Sequence, residues 1–411
     1  MNIFKKSIAI AFLILLMASI AWSYETEYVV VVLLDGIRYT ESLGDPSGTY
    51  CPLLTDLTSE GVVHDSAFND VITNTRNAVP ATWMGRFYSL QDTSYLGNDV
   101  QFCRYPTFWE YARVGLSLPA SKAVYVTPDY GTSTWLPSFY PGYGPDYWPS
   151  FHHPERIGDY NLAVFDSAVT VLKRDHPVIS YIYLPDSDHA GHSGDWEYYI
   201  AEILQADSLV AALWDTIQAD PLMAGKTTMM VTNDHGRHDD DHGGFQGHGD
   251  DCFGCRHVML FSLGPDFKRN VHVDSPRASI ADIAATAGEL LGFDTPYSTG
   301  RVLEELFGGP YQYLPGDVNM YNGIWPPSVI GGDVTYLVNY FRSLSERCLI
   351  GGFYSSADIN GDCLVIGSDV TSLVQYFRVG ADIIGCRDYP PAWPVPDDLP
   401  PGAPEGWPNC E

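Results

Sequence analysis

Residues 24 to about 312 read as an α/β domain, with a mostly parallel sheet covered by helices on both faces. Three observations predict it: apolar runs of strand length, helical patterns between them, and acidic or imidazole side chains directly after the runs. Tyr28–Leu34 (YVVVVLL) is near-continuously apolar, as a strand buried on both faces requires. Val178–Leu184 (VISYIYL), Thr227–Thr232 (TTMMVT) and Val258–Leu263 (VMLFSL) repeat the pattern, and Ala123–Val126 is a shorter candidate. Tyr198–Gln218 and Ile280–Leu291 space their apolar residues as helices do. Strand alternating with helix implies a parallel sheet with both faces covered. Ligands in such sheets sit beyond the carboxyl ends of the strands.

Those ends carry the chemistry. Asp35 directly follows the first run (VVLLDG). Asp188-His189-Ala190-Gly191-His192 follows the run ending at Leu184, and Asp234-His235-Gly236 follows TTMMVT. Further on, His248 lies in Gln246-Gly247-His248-Gly249-Asp250. Oxygen and nitrogen donors without Cys suit zinc, manganese or a similar divalent ion. The donors exceed what one four-coordinate ion takes, so two divalent ions are the economical reading. Singly each motif is weak, because an Asp after a strand is often a helix cap and DHG can be a turn. Their joint order at the strand ends is what signifies.

This ordered set resembles the alkaline phosphatase superfamily, in particular its type I phosphodiesterase/nucleotide pyrophosphatase-like branch. The resembling residues are Asp35 in LLDG, the segment Asn74-Thr75-Arg76-Asn77-Ala78-Val79-Pro80, Asp188 and His192 in DHAGH, Asp234 and His235 in NDHG, and His248 in GHGD. The resemblance runs from about residue 26 to about residue 300. It implies an alkaline phosphatase-like fold with a two-metal site, usually zinc. Asp35, Asp234, His235 and a Thr nucleophile would hold one ion, and Asp188, His192 and His248 the other.

The family places its nucleophile at a helix start about ten residues before a Gly. Thr75 precedes Gly85 at that spacing, Thr73 is the alternative, and a plain helix cap is the simpler role for Thr75. The family's Thr-x-Pro-Asn-His run is not present here, a departure that bears on substrate preference. Asn98, ahead of Pro106–Tyr111, falls where the family carries an Asn that contacts a phosphoryl oxygen. The implied activity is phosphoric-ester hydrolysis, on a mono- or diester, through a phospho-Thr intermediate. Metal coordination would activate the hydroxyl, two ions would stabilise attacking and leaving oxygens, and a helix N-terminus would offer N–H groups to the phosphoryl oxygens. Sulfatases share the fold but need Cys or Ser in a C/S-x-P-x-R run. Cys51-Pro52-Leu53-Leu54-Thr55 lacks the Arg, which disfavours sulfate-ester hydrolysis. The other alternative is a non-catalytic surface protein that uses its tail for attachment. The intact donor set argues against it.

Composition and charge narrow the setting. The chain has 411 residues, 51 acids against 22 Lys and Arg, and a net charge of −29. The acid surplus argues against nucleic acid, whose phosphates are held mainly by Lys and Arg, and against an anionic membrane surface. Met1–Ser23 begins basic (Lys5, Lys6), continues with the apolar run Ile8–Ile20 and ends Ala21-Trp22-Ser23, which is a secretory signal pattern. Its apolar run is shorter than the ~20 residues of a membrane span. The mature protein is thus expected to be exported (periplasmic, secreted or cell-surface) and without a transmembrane segment. Eight Cys are then in an oxidising compartment, where a local Cys252–Cys255 disulfide is expected. His238, His242 and Asp239–Asp241 read most simply as a solvated loop, with a further cation site as the alternative. His152 and His153 read as exposed loop residues. The aromatic stretch Tyr125–Trp148 either walls a pocket or packs beneath a loop.

Residues 313–387 form a second unit. Gly332–Arg342 (GDVTYLVNYFR) recurs as Ser368–Arg378 (SDVTSLVQYFR), with Val334, Leu337, Val338, Phe341 and Val370, Leu373, Val374, Phe377 at helical spacing. Asp358, Asn360, Asp362 and Asp369 occupy positions 1, 3, 5 and 12 of a calcium-type loop. The unit resembles the duplicated loop–helix module of type I dockerins. That implies calcium and a cohesin-like or cell-surface partner. Cys363 stands where Gly is usual, and the first copy, Asp317 to Asp333, is too long and has Tyr321 at position 5. A small helical module held by Cys348, Cys363, Cys386 and Cys410 is the simpler reading. Residues 388–411 hold eight Pro and read as an extended tail.

Overall fold

The computed structural model describes residues 24–307 apart from 71, 130 and 156–158, and in the tail 316, 318, 329, 331–342, 357–360, 364–381 and 383. The strands are β1 Tyr28–Leu34, β2 Gly61–His64, β3 Ala67–Phe68, β4 Gln91–Tyr95, β5 Asn98–Cys103, β6 Ala123–Val126 and β7 Trp135–Ser138. They continue with β8 Ser150–His152, β9 Ile179–Leu184, β10 Thr227–Thr232, β11 His257–Val258, β12 Leu260–Leu263, β13 Val271–Val273 and β14 Ala278–Ser279. The helices are α1 Pro52–Leu57, α2 Thr75–Met84, α3 Phe108–Gly115, α4 Tyr160–Asp175, α5 Asp186–Ser193 and α6 Trp196–Ala219. After these come α7 Phe253–Arg256, α8 Asp282–Leu291, α9 Gly331–Phe341 and α10 Gly367–Val379.

The main sheet has the order β13-β2-β12-β10-β1-β9-β6-β8. β1 is central and pairs in parallel with both β10 and β9. Alternation along β1 splits the core into two layers. Val29, Val31 and Leu33 face one cluster, with residues of α2, α3 and α8, while Val30, Val32 and Leu34 face the other, with residues of α1, α4 and α6. Both faces are covered, so an all-apolar strand is the stable choice. The long helices start at side-chain caps: Asp159 accepts the Leu162 N–H at 2.7 Å and Asp195 accepts the Tyr198 N–H at 3.1 Å.

One predicted strand divides. Val258–Leu263 breaks at Met259. β11 pairs with β3 in a small separate sheet, while β12 runs antiparallel between β10 and β2. The cause lies in the connection from β10. A parallel return needs a crossover, usually a long helix. Residues 233–256 contain only short helical turns and are occupied by the site described below. The aromatic stretch resolves as packing: Tyr125 is fully buried, and its ring lies 5.1 Å from that of Trp83, which in turn meets Tyr181 edge-on at 5.6 Å. Trp135 and Trp148 are also buried. His152 and His153 are half-buried rather than exposed.

In the tail, α9 and α10 share a small core of Val318, Leu337, Ala357, Ile359 and Leu373. Val334 and Val370 pack against it, but Phe341 and Phe377 are exposed, so only part of the predicted stripe is buried. The Asp369 carboxylate accepts the N–H groups of Ile359 at 2.9 Å and Ile366 at 2.8 Å, tying the loop ends together. Asn360 donates to Ser368 Oγ at 3.1 Å. Asp358, Asn360 and Asp369 therefore share one loop. Met1–Ser23, Asp317, Tyr321, Asp362, the four tail cysteines and residues 388–411 lie outside the described residues. Among the described residues, no helix is long and apolar enough to cross a membrane.

Candidate metal centre

The carboxyl ends of β1, β9 and β10 lie side by side, because these strands are sheet neighbours running the same way. Asp35 leaves β1, Asp188 and His192 lie on α5 just after β9, and Asp234 and His235 leave β10. Two groups of donor atoms result, each within 4.8 Å: Asp35, Asp234 and His235, all buried, and Asp188, His192 and His248, more open. This is the partition expected from the sequence.

Local packing sets each side chain. Gly36 has φ +65°, and a Cβ there would meet Asp188 Oδ1 at 2.4 Å, so only Gly lets β1 turn beside the second carboxylate. The Gly36 N–H donates to Asp234 Oδ1 at 3.3 Å. Ser187 Oγ donates to the Asp35 carbonyl at 2.5 Å, joining α5 to β1. A Cβ on Gly191 would meet Arg237 Cζ at 2.3 Å, which accounts for the Gly of DHAGH. Asn233 donates to the carbonyls of Ile37 and His235 at 2.9 and 2.8 Å and accepts the Met259 N–H at 2.7 Å, holding the start of the loop.

The imidazoles are oriented as metal ligands are. His235 Nδ1 donates to the Gly236 carbonyl at 2.9 Å, and His248 Nδ1 donates to the Thr73 carbonyl at 2.9 Å. Those bonds leave Nε2 of each ring to face the carboxylates. His235 Nε2 lies 3.3 Å from Asp234 Oδ2, 3.5 Å from Asp35 Oδ1 and 3.2 Å from Thr75 Oγ1. His192 Nε2 lies 3.3 Å from Asp188 Oδ2, and His248 Nε2 lies 3.5 Å from Asp188 Oδ1. The His235 and His248 rings stack 4.0 Å apart, and His192 Nε2 is 3.0 Å from His248 Nε2. The two groups of donors therefore touch.

Electrostatics agree with a cation. Burial, with Asp234 and Asp188 adding repulsion, pushes the Asp35 carboxyl well above the usual range. Burial raises Asp234 to about 7 against its hydrogen bonds. Asp188 is partly buried, which alone would raise it, yet His192, His235 and Arg237 hold it below the usual carboxylate range. Burial and the neighbouring His235 push His248 down to about 4, which favours the neutral, metal-binding ring. Asp35 Oδ1 and Asp234 Oδ2 are buried with no hydrogen-bond partner. Orphaned buried carboxylate oxygens are costly, and facing imidazole nitrogens with free lone pairs complete a donor set for divalent ions. The residues present fit two of them.

Thr75 is the first residue of α2, and its hydroxyl touches the buried group of donors. Thr73 is engaged elsewhere: its hydroxyl donates to the Asp250 carbonyl at 2.5 Å. Asn98 is not brought to the cluster. It is exposed at the start of β5, paired across the hairpin turn with Tyr95. The neighbouring Asp186 accepts the Asn161 N–H at 2.7 Å, and His189 is exposed. The expected Cys252–Cys255 disulfide is not formed. Cys51, Cys103, Cys252 and Cys255 are free thiols. Cys51, the sole Cys-Pro position, is buried at the start of α1 and donates to the Glu41 carbonyl at 3.7 Å.

Two contributors escaped the sequence reading. Tyr183, the penultimate residue of β9, donates its hydroxyl to Asp35 Oδ2. Arg237 is fully buried and grips Gly36 O at 2.8 Å, Phe245 O at 3.0 Å, Gln246 O at 3.1 Å, Asp188 O at 2.6 Å and the Asp188 carboxylate itself. Its signal was its place directly after DHG at a strand end already full of acids.

Comparison with known proteins bears on the fold and on metal binding in general. Residues 158–295 match the family model described as the Metalloenzyme superfamily. The fold is alkaline phosphatase-like. The matched segment contains Asp188, His192, Asp234, His235 and His248, and a metalloenzyme family implies divalent ions. The 2-O GAG sulfatase BT1596 aligns with TM-score 0.52 and 12% identity, over 68% of this chain and 73% of that one. Murine ectonucleotide pyrophosphatase/phosphodiesterase 5, in an inactive form in complex with AMP, aligns with TM-score 0.50 and 12% identity, over 69% of this chain and 100% of that one. At such identity the likeness is one of fold. No curated protein matches the sequence.

Proposed function

We propose that the protein is a metal-dependent phosphoric-ester hydrolase in which Thr75 is the nucleophile. The single observation that carries this reading is the Thr75 hydroxyl, 3.2 Å from His235 Nε2 at the start of α2 and beside two joined groups of metal donors. Asp35, Asp234, His235 and Thr75 would hold one divalent ion, usually zinc in this superfamily, and Asp188, His192 and His248 the other. When bound, such ions lower the pKa of a hydroxyl and offset charge on an ester.

The chain's own groups supply the rest. Asn74 takes the N–H of Asn77 at 3.1 Å and of Ala78 at 2.9 Å. That leaves the N–H groups of Thr75 and Arg76 to point at a phosphoryl oxygen, with the helix dipole behind them. Thr75 Oγ would attack phosphorus in line, the ester oxygen would leave, and water would later cleave the phospho-Thr. The Thr side chain also separates this chain from sulfatases, which need Cys or Ser in a run that Cys51-Pro52 does not complete.

Export and surface attachment belong to the same proposal. The pattern of Met1–Ser23 supports export, and the paired loop–helix copies support a dockerin-like attachment module with calcium in its second loop.

The test is turnover of aryl phosphate mono- and diesters, with and without chelator and added zinc. Chelator-sensitive turnover on either is expected, and its absence on both would sink the reading. Thr75→Ala should abolish turnover while metal content stays near wild type. If Thr73→Ala does so and Thr75→Ala does not, the nucleophile is misplaced.

A further inference from the structure

Past the two groups of donors, the segment between β10 and β11 gathers a third. His238, Asp250, Cys252 and Cys255 each offer one donor atom, and the four lie within 4.8 Å of one another. Their chemistry differs from that of the ester-facing site: two sulfurs, one imidazole nitrogen and one carboxylate oxygen. Mixed thiolate and imidazole sets of four are typical of closed, structural zinc sites.

The donors are already arranged. Both cysteines are free thiols; Cys255 is fully buried and Cys252 partly so. The Cys255 N–H points at Cys252 Sγ at 3.4 Å, so the backbone of α7 wraps around the first sulfur. His238 Nε2 is buried without a hydrogen-bond partner and lies 3.2 Å from Asp250 Oδ2. Asp250 is steered from two sides, by the Cys252 N–H at 3.0 Å and by His242 Nε2 at 2.8 Å. A carboxylate ligand held by an imidazole is a usual way of fixing a metal donor. Two glycines make room. A Cβ on Gly254, between the cysteines, would meet Asp239 Oδ1 at 2.4 Å, and one on Gly247 would meet His238 Nδ1 at 2.6 Å.

We propose that His238, Asp250, Cys252 and Cys255 form a separate zinc site that braces the loop carrying His235 and His248. Binding would release the two thiol protons and leave no open position for substrate. The brace reaches the ester-facing site through short links. The Gly236 N–H donates to the Cys255 carbonyl at 2.8 Å, the His238 N–H to Gly247 O at 2.8 Å, and Thr73 joins both ends by accepting from His248 and donating to Asp250.

The experiment replaces zinc with cobalt(II) in the full chain. The wild-type protein should show a near-ultraviolet thiolate-to-cobalt charge-transfer band. Cys252→Ser/Cys255→Ser should lose that band and one metal equivalent per chain, while Asp188→Ala should keep the band and lose metal elsewhere. The wild-type spectrum reads the sulfurs whether or not the double variant folds, and it does so independently of turnover. A cobalt-loaded protein without the band would overturn the proposal. So would alkylation mass spectrometry that finds Cys252 and Cys255 joined as a disulfide in metal-loaded protein.

Discussion

Replacing Arg237 by Met removes the charge and all the hydrogen bonds described above while keeping most of the side-chain volume. Arg237 is fully buried, so water does not readily substitute for it. Breaking a buried ion pair from one side costs about 3–5 kcal/mol. Each stranded carbonyl adds up to ~1–3 kcal/mol, though such terms are not additive. At about 4 kcal/mol, and roughly 2 °C per kcal/mol for a large domain, the melting temperature should fall by about 8 °C. The same change frees the Asp188 carboxylate from its clamp, and loss of a partner behind a metal ligand typically weakens binding ~10–100-fold. Scanning calorimetry of chelated protein reads the first effect, and chelator competition for added zinc reads the second. Arg237→Lys should rescue little, because an ammonium cannot span acceptors on both sides of a planar fork. An Arg237→Met protein that melts within about one degree of wild type and holds zinc as tightly would refute the clamp.

Two further outcomes follow. Glu305 is half-buried; burial would raise its pKa, but Arg301 at 2.6 and 2.7 Å and His64 at 3.2 Å pull it down to about 2. A depressed carboxylate stabilises the fold above its unfolded value of 4.5 and loses that contribution as pH falls toward 2. The stability gap between wild type and Glu305→Gln, measured by denaturant titration, should therefore be full above about pH 5 and narrow steadily below it; a gap that stays constant would contradict the assignment. For the tail, calorimetric titration of the full chain with calcium should show a binding event that Asp358→Ala removes. A flat titration would leave a helical module without calcium.

The clustering of acids was legible because parallel strands put their carboxyl ends on one edge, so Asp35, Asp188 and Asp234 could be placed together from order alone. Thr75 was legible less securely; its hydroxyl meets His235, whereas that of Thr73 is turned to the Asp250 carbonyl. What escaped were features that a linear pattern does not encode. An apolar run has no direction, so β12 could not be told from a parallel strand, nor its break at Met259 foreseen. Tyr183 looked like one more apolar residue of its strand, although its hydroxyl meets Asp35. Arg237 sits in no periodic pattern, although five acceptors surround it. Asn98 matched a family position by spacing, but a hairpin turn carries it into solvent. Cys252 and Cys255 showed their spacing and not their oxidation state.

The strand order has a consequence for how the protein comes to hold its ions. The two groups of donors after the sheet draw on residues from Asp35 to His248, brought together when β1, β9 and β10 are side by side. Ions held by these groups would enter late, into a largely finished sheet. His238 to Cys255 is the opposite case: all four donors lie within one connection. If the proposed zinc binds there, that stretch would take up its ion while the rest of the chain is still unordered. Metal loading would then proceed in two stages, an early local capture that shapes the loop and a late one that waits for the whole sheet.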